Sequence, residues 1–149
     1  METGIAPRAL ELAIDHQRSE LPDDGYVLDR LFAYLETTRP TVDEVRDAIC
    51  EFYAVHPFEV SGRHLGHLDR RAHIVTARSV FCFLAYRYVR LSMPKIFPLA
   101  GYRDHTSVFF AIRKIENYVV TRPRWADDLD LLRLRLCEKI LMRCCGRGS

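Results

Sequence analysis

Long apolar runs are missing from this sequence of 149 residues: none approaches the roughly 18–20 that a membrane-spanning helix requires. The first ten residues carry Glu2 and Arg8 and lack the apolar centre of a signal peptide, so a cytoplasmic protein without a membrane partner is expected. The five cysteines (Cys50, Cys82, Cys137, Cys144, Cys145) form no CxxC pair, and their odd number argues against a closed disulfide framework. Cys50 and Cys82 lie among apolar neighbours and read as small core residues in a reducing compartment. His64 and His67 flank Leu65-Gly66, but no thiol stands at zinc-finger spacing, so no metal site is expected, and no cofactor. Internal repeats and low-complexity tracts are absent, and no segment alternates with period two for long enough to make a strand.

What is present is charge, unevenly placed. The net charge of +2 conceals a strong polarity. Residues 1–60 hold 5 Lys and Arg against 13 Asp and Glu, whereas residues 61–124 hold 12 against 3. A solvated helix surface usually mixes its signs. The acids of the middle segment are only Asp69, Asp104 and Glu116, a balance that suits contact with a polyanion such as nucleic acid.

Helical spacing recurs along the chain, and the fold class expected is all-α. A first helix is read over residues 7–19, with Leu10 and Ile14 on one face, and a second over 26–37, striped by Val27, Leu28, Leu31, Phe32 and Leu35. Arg39-Pro40 closes it. Thr41 and Glu44 have the spacing of a capping box, opening a helix with Val45, Ile49 and Phe52 inward and an end near His56-Pro57. Phe58 and Val60 read as a short turn, residues 61–71 as a polar loop, and 73–91 as a long apolar helix. Ser92 is placed to cap a short helix over 93–97, with Pro94 in its first turn, where no amide is needed. Residues 98–102 then turn the chain into a helix over about 104–120, whose Val108, Ala111, Ile112 and Ile115 face inward. Arg122-Pro123 breaks it before a last helix over 126–142, with Leu129, Leu132, Leu136 and Ile140. Three segments are expected: an acidic helical extension (1–40), a central domain (41–122) and a C-terminal helix (123–149).

A short helix, a glycine-containing turn and a longer helix make a helix-turn-helix. Here the second helix opens with Arg103, Asp104, His105, Thr106 and Ser107, five polar side chains before the first inward valine. An ordinary cap from Asp104 to Ser107 accounts for Asp104 but not for its neighbours. In a reading helix the first turn reaches base edges in the major groove. Arginine suits guanine O6 and N7, aspartate accepts from the cytosine amino group, and threonine offers thymine both a hydroxyl and a methyl.

The stretch GYRDHTSVFFAIRKIE, residues 101–116, resembles the signature GGRDHTTVxHAxRKIE of the C-terminal DNA-binding domain of the bacterial replication initiator DnaA. Upstream, TVDEVRDAICEFYAV (41–55) is similar to the family's opening helix, Arg78-Ser79 stands where the family has Arg-Gln, and Ser92-Met93-Pro94-Lys95-Ile96 resembles its Ser-Leu-Pro-Glu-Ile. The similarity covers about residues 41–122. It implies a Trp-repressor-like helical domain with helical extensions at both ends. Arg103, Asp104, His105, Thr106 and Ser107 fall on the motif that contacts bases and phosphates. Arg70 or Arg71 falls in the basic loop that enters the adjacent minor groove, and Arg78 matches an arginine that binds DNA near that loop. Arg113 and Lys114 match a pair whose role is phosphate contact or structure. The sequence departs from the family at Tyr86, where a basic residue is common, at Phe110, where a histidine is common, at Pro98 and Tyr102 in the turn, and in a longer loop over 62–67.

The family's ATPase loop, GxxxxGK[ST], does not occur in the sequence, and His105 beside Asp104 cannot act with it because adjacent helix residues do not face each other. An enzyme, including an initiator ATPase, is therefore not expected. Some alphaproteobacterial regulators, including activators of phage-like gene transfer agents, resemble this domain alone. The resemblance thus implies a transcription regulator on double-stranded DNA, in the nucleoid, with RNA polymerase, an accessory DNA-bending protein or a second copy as protein partner. Two rivals are a replication modulator competing for DnaA-box-like sites and an interaction adaptor that has lost DNA reading. The retained cluster at 103–107 speaks against the adaptor.

Overall fold

The computed structural model describes residues 25–61 and 72–146, and every regular element among them is helical. They are α1 (Gly25–Thr37), α2 (Val42–Tyr53), α3 (Pro57–Ser61), α4 (Ala72–Leu84), a π-helical turn (Ala85–Val89), α5 (Met93–Leu99), α6 (His105–Thr121) and α7 (Pro123–Gly146). The helix expected over 7–19 and the loop that holds Arg70 and Arg71 lie outside the described residues.

The capping box forms as its spacing dictates: the amide of Glu44 donates to Thr41 Oγ1 (3.1 Å) and the amide of Thr41 to Glu44 Oε1 (2.8 Å). Glu44 has a second task, since its Oε2 accepts from Arg143 Nε on α7 (3.0 Å). Helix α2 stops at Ala54, which takes a left-handed φ of 54°. The chain does not then simply turn, as expected; it makes α3. The cause is a cap of unusual composition: the amide of Phe58 donates to His56 Nδ1 (3.2 Å), while the amide of His56 donates to Glu59 Oε1 (2.8 Å). Pro57, with φ fixed and no amide, sits at the first helical position.

Helix α4 is apolar on almost every side, as suits a helix at the centre of a fold. It packs against α2, α3 and α6, and nine of its thirteen residues are buried, among them Ile74, Val80, Phe81, Phe83 and Leu84. The remainder of the segment expected to be one helix over 73–91 is the π turn, closed by Arg90 at φ 64°. One further residue per turn re-aims the side chains that follow.

Helices α1 and α7 belong to the same buried cluster as the central helices. Leu35 of α1 and Leu129, Leu132, Leu136 and Ile140 of α7 share it with Val45, Phe81, Ile96 and Ile115. Helix α7 packs on α1, α2 and α6, is longer at both ends than its apolar spacing suggests, and starts on Pro123. Cys82 and Cys137 are buried, and burial pushes the thiols of Cys50, Cys82 and Cys137 up to about 11, about 12 and about 11, so all three are inert packing groups at neutral pH. Among the described residues no helix is long and apolar enough to cross a membrane.

Candidate nucleic-acid interface

Helices α5 and α6 pack against each other across a tight turn. Ser92 holds the cap position of α5 through its backbone carbonyl, which accepts from Lys95 and Ile96; its side chain makes no capping bond, contrary to expectation. The helix runs through Pro98 and Leu99, two residues past its expected end. Its C-terminus is a Schellman motif: the amide of Tyr102 donates to the Phe97 carbonyl (2.9 Å) and that of Gly101 to the Pro98 carbonyl (3.3 Å). The motif needs a left-handed residue after the cap, and Gly101 supplies it at φ 79°. Tyr102 anchors the turn from the other side. Burial raises its phenol pKa, and a hydrogen bond with Ser79 of α4 partly offsets that rise.

Asp104 caps α6, its Oδ1 accepting from the amide of Ser107 (3.1 Å). Val108, Ala111, Ile112 and Ile115 are buried at helical spacing, which turns Thr106, Phe109, Phe110 and Arg113 outward. Arg103, Asp104, His105 and Thr106 are all exposed at the front of this helix, while Ser107 and Lys114 are half-buried. The five polar residues 103–107 stand together at the start of one helix, four of them exposed.

Arg78 stands elsewhere. It is 2% exposed, and its guanidinium donates to the carbonyls of Val60 (3.0 Å) and Glu59 (3.1 Å). A cation on the last carbonyls of α3 satisfies acceptors that so short a helix leaves open. So placed, Arg78 holds α3 against α4 and does not present its charge to a phosphate, which corrects the DNA contact expected for it.

Other cations come forward in its place. Arg87 and Arg90, re-aimed by the π turn, line an open groove with Tyr86, Pro94 and His105. Both are about half exposed and both pair with Glu36 of α1: Arg87 Nη2 lies 2.6 Å from Glu36 Oε1, and Arg90 Nη2 donates to the Glu36 carbonyl (3.1 Å). Sequence spacing did not single them out. The available signal was a basic residue one position after Tyr86, where the family carries its own.

An exposed first turn, a glycine-closed turn and a supporting short helix define a helix-turn-helix DNA-binding domain. The comparison with known proteins bears on the same segment: the family described as Bacterial dnaA protein helix-turn-helix matches residues 42–115, so the central domain is a DnaA-type helix-turn-helix. Similar relatives are chromosomal replication initiator proteins DnaA. That of Jannaschia sp. (strain CCS1) is 30% identical over 96 residues, covering 64% of this chain and 19% of the relative. That of Cereibacter sphaeroides (strain ATCC 17029 / ATH 2.4.9) is 33% identical over 93 residues, covering 62% and 19%. That of Bartonella quintana (strain Toulouse) is 32% identical over 116 residues, covering 75% and 22%. The chain thus spans about a fifth of the length of the curated relatives it matches.

Proposed function

We propose that this chain is a sequence-specific double-stranded DNA-binding transcription regulator that reads the major groove with the front of α6. The observation that carries this reading is the joint exposure of Arg103, Asp104, His105 and Thr106 beside the Arg87–Arg90 groove, on a DnaA-type helix-turn-helix. Base-contacting side chains give sequence preference, and the flanking cations supply the salt-dependent attraction to phosphates. Arg70 and Arg71 are assigned to the minor groove or its phosphates by the family resemblance, and Arg113 and Lys114 to phosphates farther along α6. The regulated genes are those of a phage-like gene transfer agent locus, again on the strength of the resemblance. RNA polymerase, an accessory DNA-bending protein or a second copy is the protein partner, met on the surfaces that α1 and α7 add to the domain.

Mapping of bound sites across the genome tests this directly. Regulation requires occupied sites at promoters, the phage-like locus among them. Occupancy confined to the replication origin would instead make the protein a modulator of initiation, and unspecific occupancy would remove the reading altogether.

A further inference from the structure

The outer face of α6 carries a feature that polar base reading does not use. Phe110 is 63% exposed and Phe109 42%, edge to face with ring centroids 5.6 Å apart. The Arg113 guanidinium lies over the Phe109 ring, 5.8 Å from its centroid. With Val108, Ala111 and Ile112 turned into the core, the exposed Phe110 ring stands on the solvent side of the helix, one turn beyond Thr106. A contiguous exposed aromatic pair on the outer face of this helix marks a contact surface.

We infer that Phe110 is a specificity-determining residue that packs on the 5-methyl group of thymine in the major groove. The inference rests on the duplex-reading function proposed above. Charge favours a polyanion as the occupant: Arg103 and Arg113, before and after Phe110 in the sequence, are exposed, and Glu116 is the only acid within α6. A phenyl ring neither donates nor accepts, and the thymine methyl is the one apolar group that the major groove displays. Helical rise puts Phe110 about 6 Å along the axis from Thr106. At about 3.4 Å per base pair it meets bases one or two steps from those that Thr106 reaches. The DnaA signature has a histidine at this position, which can exchange hydrogen bonds with any base edge, so phenylalanine shifts the preference toward thymine.

The test uses the full chain and a duplex enriched by it from a randomised pool. Each thymine is then replaced singly by uracil, which removes the methyl and nothing else, and affinity is measured at fixed salt. One or two positions should lose about four-fold, the value of one buried methyl. Phe110→His should bind thymine and uracil equally at those positions while keeping the rest of the motif, and Phe110→Leu should keep part of the preference. Thermal melts of both variants should match the parent, because the ring is outside the core. A parent indifferent to uracil at every position, with its motif intact, would overturn the inference and leave the proposed function standing. Failure to enrich any motif would remove both. A Phe110→His change that splits a dimer without altering the thymine preference would reassign the face to self-association and also overturn it.

Discussion

Single residues divide here by whether their polar atoms are already engaged inside the fold. Arg78 is engaged: two backbone carbonyls at the end of α3 take its guanidinium, and almost none of it meets water. Arg78→Ala should therefore act on stability, by roughly 2–4 kcal/mol, because buried acceptors lose a charged donor. Arg78→Lys should not rescue it, since a point charge cannot span both carbonyls. Denaturant unfolding checks this; a variant of unchanged stability with weakened DNA binding would restore the phosphate role. His105 and Thr106 are the opposite case, exposed at the front of α6 and outside the Asp104–Ser107 cap. Replacing either by alanine should leave the melt unchanged, cost about 1–3 kcal/mol on the preferred duplex and blur one or two positions of its motif. Competition binding across single-base variants of that duplex measures both effects.

At the scale of elements, α1 sits against the cations that flank the reading helix. Glu36 holds Arg87 and Arg90, which the π turn points toward the His105 groove. These are exposed ion pairs, so Glu36→Ala should cost under about 1 kcal/mol of stability. The same change frees Arg87 and removes the carboxylate 3.9 Å from Arg90, whose bond to the backbone carbonyl remains, and should tighten binding on all duplexes alike, with a salt dependence steeper by about 1 in log–log slope. A salt titration that superimposes on the parent would show that α1 does not compete with DNA for them. These elements were unequally legible in the sequence. The inward stripes of α6 and α7 and the Thr41 box were readable, because a period of 3.6 and a reciprocal cap are properties of neighbouring residues. Helix α3 was not, because its cap is a histidine. Arg78 could not be placed, because α4 is apolar nearly all round and shows no stripe from which to read a polar side. Nor could the aim of Arg87 and Arg90 be read, since a π turn shifts the register without a mark in the spacing.

At the scale of the molecule, α1 and α7 share one core with the central helices among the described residues, and charge ties across that core respond to pH. Burial alone would raise the Glu44 pKa, but hydrogen bonds from Arg143 and from the Thr41 amide outweigh it and hold the carboxyl below its ordinary value. A group lowered in the folded state stabilises fully above its unfolded pKa, about 4.3, and loses that contribution as pH falls through the folded value. The advantage of the parent over Glu44→Gln should therefore be largest near neutrality and shrink below about pH 4, as followed by thermal melts. A constant difference from neutral to acid would show that the α2–α7 tie is not ionic.

Sequence recognition by the front of α6 is tested most directly by comparing the full chain on its enriched duplex and on a scrambled duplex of the same length and composition, at one salt concentration near physiological. Affinity for the enriched duplex should be greater by about a thousand-fold or more. Equal affinity for the two would contradict the account.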